Sequence, residues 1–333
     1  MAKKWVAGFL LLSGCGIQEP AQPESELIEE VAAELDVPWS IDQSGDVFYI
    51  SERPGTIAKI EDGQVEHQQV ILAEPLSDMS EAGLLGFVLK PDFDESRQAY
   101  AYYTYDKDGE PYNRVVVLES SGTLWREAEV VLDDVCSGNV HHGGRLEIGP
   151  DKALYVTIGD ASEPDTAQDL GSLNGKIVRV NESGDATVYS LGHRNPQGIT
   201  WSEDGVMYAS EHGQSANDEI NIIKEGNNYG WPEIGGIEKT DGLETPLITS
   251  GANDTWAPSG MVWHDGVLYV ASLRGETVLE IDIETLQVSK EIEGYGRIRD
   301  VFSDGEFLYF VTNNTDGRGN QAESDDKLYR VKK

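Results

Sequence analysis

The chain has 333 residues, with 60 acidic against 25 basic side chains and a formal net charge of −35. So negative a surface would repel the phosphates of nucleic acid, and no basic stripe offsets it, which excludes DNA and RNA as partners. The length is sufficient to bury a sizeable core, as one large β domain or as two smaller ones.

The first element predicted along the chain is an export signal over residues 1–14. Lys3 and Lys4 precede the apolar run "WVAGFLLLSG", which is too short to cross a bilayer as a helix. The stretch "LLSGC" resembles a bacterial lipobox, which implies cleavage before Cys15 and a lipid on that cysteine. A plain secretory signal with an incidental cysteine is the alternative. We expect an exported protein, lipid-anchored at the outer face of the cell membrane or in the periplasm, with no other membrane contact.

Residues 15–34 are acidic and contain prolines, which is typical of a solvated tether between a membrane and a folded domain. If Cys15 carries the lipid, Cys136 is the only other cysteine of the sequence, and no intramolecular disulfide is expected. The domain predicted over residues 35–333 must therefore be held together by packing.

One pattern occurs six times in this domain: an apolar strand, a turn with Asp or Gly, and a second strand that ends in an aromatic-aliphatic pair. The aromatic positions lie 40 to 61 residues apart, at Tyr49, Tyr102, Tyr155, Tyr208, Tyr269 and Tyr309. A repeat of this size with several short strands predicts an all-β fold, a six-bladed β-propeller. A pair of β-sandwiches is the alternative, but sandwiches require no such period.

Loops from successive blades meet at one end of a propeller, where binding and catalytic residues are expected. The polar loop strings include "NVHHGGR", "TIGD", "GHRNPQG" and "DEINIIKEGNNYGWP". In this order they resemble the soluble dehydrogenases that use pyrroloquinoline quinone (PQQ), the glucose/sorbosone dehydrogenase family, which includes the aldose sugar dehydrogenases. The resemblance covers about residues 37–333. It implies oxidation of the anomeric C1 hydroxyl of an aldose to a lactone, with electrons passing from PQQ to a quinone or small carrier.

The resemblance implies a catalytic set of His141, Asp160 and Arg194. His141 corresponds to the family's general base, a task that suits an imidazole. Asp160 would orient and tune this base, and Arg194 would place a positive charge near the PQQ oxygen that gains electron density. His142 falls at a variable position. Adjacent residues on an extended segment project to opposite sides, so only one of the two histidines is expected to face the channel.

PQQ carries three carboxylates, so its pocket is expected to contain cations. The resemblance places four side chains against the cofactor: Asn195, Arg274, Arg297 and Arg299. Glu81 stands where many relatives have Gln or Asn, and its carboxylate would repel a PQQ carboxylate.

Two Ca²⁺ ions are also implied by the resemblance, and calcium prefers oxygen ligands. One would join PQQ to the backbone carbonyls of Gly213 and Gln214. The other would be structural, bound by the Glu219 side chain and the Tyr229 carbonyl.

Three other functions remain open. The first is a non-catalytic propeller that binds sugar or protein, and the second is a calcium-dependent lactonase, which needs a ring of metal-binding acids at the channel. The third is a zinc site, whose ligands would be His141, His142, His193 and His212, but these lack the paired spacing typical of zinc ligands. A monomer or homodimer is expected.

Overall fold

The structure, a computed structural model, describes residue 1 and residues 27–333. The predicted signal peptide beyond its first residue, the lipobox and the tether up to residue 26 lie outside the described residues and stay predictions. Within residues 27–333, no helix has both the length and the apolar character needed to cross a membrane.

The described chain folds almost entirely into strands. They are β1 Glu29–Ala32, β2 Pro38–Ser44, β3 Val47–Glu52, β4 Thr56–Glu61, β5 Gln64–Ile71, β6 Leu84–Leu89, β7 Gln98–Lys107, β8 Glu110–Ser120, β9 Leu124–Cys136, β10 Gly143–Ile148, β11 Leu154–Ile158, β12 Lys176–Val180, β13 Ala186–Leu191, β14 Pro196–Trp201, β15 Met207–Glu211, β16 Glu219–Ile223, β17 Ile248–Thr249, β18 Pro258–His264, β19 Val267–Ser272, β20 Thr277–Asp282, β21 Gln287–Glu293, β22 Ile298–Ser303, β23 Phe307–Thr312 and β24 Leu328–Lys332. A short helix, α1 Phe93–Ser96, and a 3₁₀ turn, Pro164–Ala167, complete the regular structure of residues 27–333.

The strands of this part of the chain form four four-stranded sheets and one eight-stranded sheet. The smaller sheets have the orders β10-β11-β12-β13, β14-β15-β16-β17, β18-β19-β20-β21 and β1-β24-β23-β22. The larger sheet joins two antiparallel groups, β2 to β5 and β6 to β9, through a parallel pairing of β5 with β9. Its edge strands β2 and β6 pack against each other.

Hydrophobic clusters fill the spaces between neighbouring groups of four strands. Tyr49 of β3, for example, packs with Phe87 of β6 and Trp125 of β9, and these rings meet edge to face. The inner strands β2, β6, β10, β14, β18 and β22 pack in sequence, and β22 returns to β2. The fold is therefore all-β and resembles a β-propeller, and the all-β prediction is confirmed.

A buried arginine ties the inner strands together at the centre. Arg145 of β10 donates to Asp300 Oδ2 of β22 at 2.9 Å and to Ser40 Oγ of β2 at 3.0 Å. Its Nε donates to the carbonyl of Gln197 in β14 at 2.9 Å. Because buried polar groups are costly unless they are hydrogen-bonded, this network fixes the strands on which the site is built.

One predicted boundary is corrected by the structure. Residues 29–32, which the sequence analysis assigns to the tether, form β1 and pair antiparallel with β24. Their backbone hydrogen bonds are thereby satisfied within the sheet rather than by solvent. The folded region therefore begins before residue 35, and β1 completes the sheet formed by the last three strands.

The strand order places particular loops at one end of the molecule. In an antiparallel group of four, the loop between the second and third strands lies at the same end as the connection to the next group. One end of the molecule therefore carries the segments that follow β3, β5, β9, β11, β13, β15, β19, β21 and β23. The site residues predicted from the sequence lie on these segments, at their borders or on an adjoining strand, except Tyr229, which lies in the loop after β16.

Candidate active site

The three side chains predicted to be catalytic lie in contact. His141 Nδ1 is 2.7 Å from Asp160 Oδ1, and Arg194 Nη2 is 3.0 Å from His141 Nε2. The buried Asp160 also accepts hydrogen bonds from the Ser162 N–H at 2.8 Å and from Trp231 Nε1 at 2.9 Å. These contacts fix the carboxylate, and the carboxylate orients the imidazole.

The contacts of His141 assign its tautomer. A guanidinium can only donate hydrogen bonds, so His141 Nε2 accepts from Arg194 and the ring proton is on Nδ1, facing Asp160. The lone pair of Nε2 is thus the basic position of the ring. The His141 side chain is 18% exposed, so a ligand can reach it. This arrangement can accept a proton from a hydroxyl group.

The backbone at His141 is unusual. Its φ is 64°, in the left-handed region that non-glycine residues seldom occupy. At Gly159, at the end of β11, an added Cβ would overlap the His141 carbonyl oxygen. Glycine is therefore required at 159 for the two loops to approach, and their contact holds the strained histidine in place.

His142 is directed away from His141, but for a different reason from the one the sequence suggests. The left-handed backbone of His141 means that the segment is not extended, so strand alternation does not apply here. His142 is buried, with Nε2 2.9 Å from the Ser80 carbonyl and Nδ1 2.8 Å from Ser137 Oγ. Burial lowers its pKa. His142 therefore joins two loops and leaves neither ring nitrogen free for catalysis.

Glu211, at the end of β15, supports the turn that carries Arg194. Its Oε1 accepts the backbone N–H groups of Arg194 and, at 3.3 Å, Asn195, while its Oε2 lies 3.0 Å from His193 Nδ1. Asn195 Oδ1 accepts the Gly143 N–H at 3.0 Å, which joins this turn to the His141 loop. Glu211 was not predicted from the sequence, although its place at a strand end directly before "HGQS" was a usable signal.

A cavity of about 360 Å³ lies beside this set and is lined by Arg194, His212 and Trp231, among others. His212 also borders a narrow crevice over Trp39 and Arg299. Within the described residues, Arg194 Nε and His212 Nε2 are buried and have no hydrogen-bond partner. Burial lowers the pKa of His212 to about 4, so its ring is neutral at pH 7. Unpaired buried groups of this kind indicate a place for a polar ligand.

Arg299 is the predicted cofactor residue whose charge is least compensated. It is buried and donates to Gln197 Oε1 at 3.0 Å and Asn313 Oδ1 at 3.0 Å, with no carboxylate in ion-pair contact among residues 27–333. Burial, followed by the charges of Arg53 and Arg297, lowers its pKa to about 9. An anion in the crevice would relieve this unfavourable charge.

The other two predicted arginines are placed differently. Arg297 donates from Nη2 to Asp316 Oδ2 at 2.9 Å and from Nη1 to the Leu273 carbonyl at 3.2 Å, so a carboxylate balances its charge. Arg274 is exposed, and its recorded contacts involve only its backbone. The structure thus brings Arg297 and Arg299 to the site but leaves Arg274 in solvent.

Glu81 does lie at the crevice, but its charge is neutralised. Arg318 donates from Nη1 to Glu81 Oε1 at 2.7 Å and from Nη2 to Ser80 Oγ at 3.1 Å. Burial raises the pKa of Glu81, but the hydrogen bond and charge of Arg318 outweigh it and hold that pKa at about 2. The expected repulsion between Glu81 and an anionic ligand is therefore reduced by Arg318, a residue that the sequence analysis did not single out.

The charged side chains around the crevice carry a net positive charge, although the protein as a whole is acidic. Four guanidinium groups and two carboxylates interact here, which leaves two net positive charges: Arg53, Arg297, Arg299 and Arg318 against Glu81 and Asp316. Such a surplus favours an anionic ligand with more than one charge.

The four predicted calcium residues line the larger cavity. The Gly213 carbonyl accepts a hydrogen bond from Arg194 Nη1 at 2.7 Å, and Gln214 is exposed at the rim. Glu219 and Tyr229 face the same space from β16 and from the loop that follows it. In the described part of the chain, no three His, Cys, Asp or Glu side chains are grouped in metal-binding geometry, so a cation would need carbonyl or amide oxygens in addition to any carboxylate.

Glu219 nevertheless has features of a cation ligand. It lies directly across the sheet from Glu211, and the buried Oδ1 of the neighbouring Asn221 has no partner among residues 27–333. Burial, followed by the charge of Glu211, raises the pKa of Glu219 to about 7. Two opposed carboxylates and an unpaired amide oxygen would be stabilised by a hard cation.

The chain is similar to known sugar dehydrogenases. The aldose sugar dehydrogenase of Escherichia coli (strain K12) is 29% identical over 353 residues, covering 89% of this chain and 92% of that protein. Quinoprotein glucose dehydrogenase B of Acinetobacter calcoaceticus is 32% identical over 211 residues, which cover 51% of this chain and 44% of the relative.

A solved structure extends the similarity to the fold. The PQQ-bound form of the aldose sugar dehydrogenase of Streptomyces coelicolor matches with a TM-score of 0.85 at 33% identity, covering 94% of this chain and 99% of that one. The family model described as glucose/sorbosone dehydrogenase matches residues 35–321. The chain belongs to the glucose/sorbosone dehydrogenase family.

Proposed function

We propose that this protein is a PQQ-dependent aldose sugar dehydrogenase built on a six-bladed β-propeller. It oxidises the anomeric C1 hydroxyl of an aldose to a lactone and passes the electrons to a quinone or small carrier. The observation that carries the proposal is the contact of His141 with Asp160 and Arg194, which leaves Nε2 as the basic atom of the ring, next in the chain to His142 and Gly143 of the positively charged crevice. The six blades correspond to the groups of four strands whose inner strands pack in a ring.

The residues around the crevice fit PQQ. Its three carboxylates match the local surplus of positive charge, to which Arg297 and Arg299 contribute, and Asn195 lies on the same turn as Arg194. Arg274, exposed in this structure, would reach the cofactor only by moving its side chain. When bound, PQQ supplies the acceptor for the two electrons and the hydrogen that leave the sugar carbon.

The protein's own residues account for the proton. Once Arg194 Nη2 gives up its hydrogen bond to the ring, His141 Nε2 accepts the C1 hydroxyl proton, which yields an imidazolium stabilised by the Asp160 carboxylate at 2.7 Å. Arg194 beside Nε2 offers a fixed positive charge to developing negative charge. Trp231, below the Arg194 guanidinium at 5.4 Å, supports that orientation.

Two calcium sites form part of the proposal. The carbonyls of Gly213 and Gln214 would bind one ion together with PQQ, which requires Arg194 Nη1 to release the Gly213 oxygen. Glu219 and the Tyr229 carbonyl would bind a structural ion in the same cavity.

Replacing Glu219 with glutamine should have opposite effects on stability with and without calcium. The pKa of Glu219 is raised from 4.5 to about 7, so ionisation costs stability as pH rises through this window, and the full cost is present at pH 8. With chelator at pH 8, E219Q should therefore melt at or above the wild-type temperature. With excess Ca²⁺ the wild type should melt higher, because only it gains the binding free energy. Thermal melts of both proteins, with and without calcium, measure this crossover. Calcium that stabilises both proteins equally would contradict the assignment.

The proposed activity is tested by reconstitution. Purified protein should bind PQQ when PQQ and Ca²⁺ are added together, and should then reduce an artificial electron-accepting dye with one or more aldoses. No PQQ binding and no dye reduction would leave the non-catalytic sugar- or protein-binding propeller as the better reading. Sugar binding by calorimetry would then separate that function from protein binding.

The geometry disfavours the other two candidate functions. A calcium-dependent lactonase needs acidic ligands around the channel, whereas arginines dominate this crevice. The four histidines of a zinc site cannot all turn to one ion, since both ring nitrogens of His142 and His193 are already hydrogen-bonded. Export, the lipid anchor at Cys15 and a monomeric or homodimeric state remain proposals from the sequence.

A further inference from the structure

Arg53 is a cation of the crevice that the sequence analysis did not single out. It lies in the loop between β3 and β4, within the string "SERPG", which reads as an ordinary hairpin turn. It lines the crevice together with Trp39 and Arg299, and it also borders a second cavity of about 340 Å³. Arg53 is therefore placed between the proposed cofactor site and a neighbouring opening.

The backbone around Arg53 is firmly held. Its N–H donates to the Val37 carbonyl at 3.1 Å, and its own carbonyl accepts the Leu84 N–H at 3.0 Å. Gly83 packs so closely against that carbonyl that an added Cβ would overlap it. The side chain thus starts from a fixed point, which reduces the entropy lost when it binds a ligand.

The guanidinium group of Arg53 is anchored at one atom only. Its Nε donates to the Ala82 carbonyl at 3.0 Å, and no ion pair involves Arg53 in the described part of the chain. Burial lowers its pKa, and the nearby charges of Glu81 and Asp316 do not fully offset that effect. Its two Nη groups form a fork without a recorded acceptor, the geometry that matches a carboxylate.

The carboxylates nearest to Arg53 are already engaged by other arginines. Glu81 is paired with Arg318 at 2.7 Å, and Asp316 with Arg297 at 2.9 Å. Arg53 and Arg299 therefore account for the two uncompensated positive charges of the crevice. Both line it beside the Trp39 indole.

We infer that Arg53 is a further cofactor-binding residue, whose Nη fork binds a carboxylate of PQQ. This inference rests on the proposed function. It adds to Arg297 and Arg299 a cation from a different group of strands, contributed by the loop between β3 and β4. Arg53 would also select for ligands that carry a carboxylate at that position.

Direct titration of the metal-loaded apoprotein with PQQ tests the inference without measuring activity. Tryptophan fluorescence reports PQQ binding. The titration compares four proteins: the wild type, Arg53→Gln, Arg53→Lys and Arg97→Gln. Arg97 is an exposed arginine over the Phe93 ring, so R97Q removes the same charge at a surface site away from the crevice. R53Q should bind PQQ about tenfold or more weakly, as expected for a lost charge-assisted hydrogen bond, and R97Q should match the wild type.

Salt separates an electrostatic role from a merely structural one. If Arg53 binds a carboxylate, the affinity gap between wild type and R53Q should narrow as KCl rises to about 1 M, where screening acts over roughly 3 Å. A gap that persists unchanged would mean that Arg53 only supports the Ala82 loop, and the inference would fail. If R53Q does not fold, R53K provides the test, because lysine keeps the positive charge but lacks the two-pronged guanidinium. R53K is expected to bind PQQ severalfold more weakly than the wild type. Equal PQQ affinity of R53K and the wild type would overturn the inference.

The remaining outcomes are equally distinct. Equal PQQ affinity of wild type and R53Q would reject the role of Arg53 but leave the proposed function intact. Equal weakening in R53Q and R97Q would assign the effect to net charge and overturn the inference. A wild-type protein that does not bind PQQ would overturn both proposals together.

Discussion

Substitution of His141 by alanine should lower kcat about 10²- to 10⁴-fold while PQQ still binds, because the substitution removes the general base but none of the proposed cofactor contacts. The imidazole is held by Asp160 at 2.7 Å and by Arg194 at 3.0 Å, and its Nε2 is the basic atom of the ring. Dye-coupled steady-state kinetics of the reconstituted protein, with PQQ affinity measured separately, would check the result.

His142 provides the matched control, since it is the same residue type one position along the chain. Its buried ring joins Ser80 to Ser137, so H142A should lose about 1–3 kcal/mol of unfolding free energy through unpaired partners. The kcat of the folded fraction should change little. If H142A lost most of kcat while H141A stayed near wild type, the base would be assigned to the wrong histidine.

The all-β class was predictable because the strand pattern is local and repeats. Each copy contains an Asp- or Gly-bearing turn and an aromatic landmark such as Tyr155 or Tyr208, and these residues do form buried parts of strands. The segment Glu29–Ala32 was not recognised as a strand, because its sequence "EEVA" is acidic and does not alternate. Its partner β24 lies at the other end of the chain, so no local pattern could reveal the pairing.

The candidate catalytic set was predictable from motif order, whereas its electrostatic balance was not. His141, Asp160 and Arg194 sit in unusual strings that one family shares, and the structure brings them into contact. The pairing of Glu81 with Arg318 joins residues 237 positions apart, so an isolated carboxylate in the sequence could not be recognised as neutralised. Pairing of this kind can only be read from coordinates.

The same limit applies to the arginines. Arg297 and Arg299 were both expected to bind the cofactor, yet Asp316 balances the charge of the first, while the second is buried without a carboxylate partner. Arg53 was overlooked because its turn sequence has a sufficient structural explanation. A binding site for an anion is therefore indicated less by the total number of arginines than by the number of arginines that have no carboxylate partner.

Arg194 gives the second large effect. Replacing it with glutamine should lower kcat about 10²- to 10³-fold, the usual cost of losing one preorganised donor at developing negative charge. Its guanidinium contacts His141 Nε2 at 3.0 Å and the Gly213 carbonyl at 2.7 Å, so it positions the base and crosses to the opposite wall of the cavity. Glutamine can replace one of these donors but not the charge.

Arg194→Lys separates the charge from the two-donor geometry. Lysine keeps the positive charge but concentrates it on one ammonium group. If the charge dominates, kcat should fall less in R194K than in R194Q. If simultaneous contact with His141 and Gly213 is essential, kcat should fall equally in both variants. The turn itself should persist in both variants, because Glu211 binds the backbone N–H groups of residues 194 and 195 rather than the side chain. Single-turnover kinetics with PQQ-loaded protein would measure the chemical step apart from sugar binding. A lost donor is expected to slow the chemical step about 10²-fold. If both variants instead reacted within about threefold of the wild-type rate, Arg194 would be removed from the catalytic set, and His141 and Asp160 would act without it.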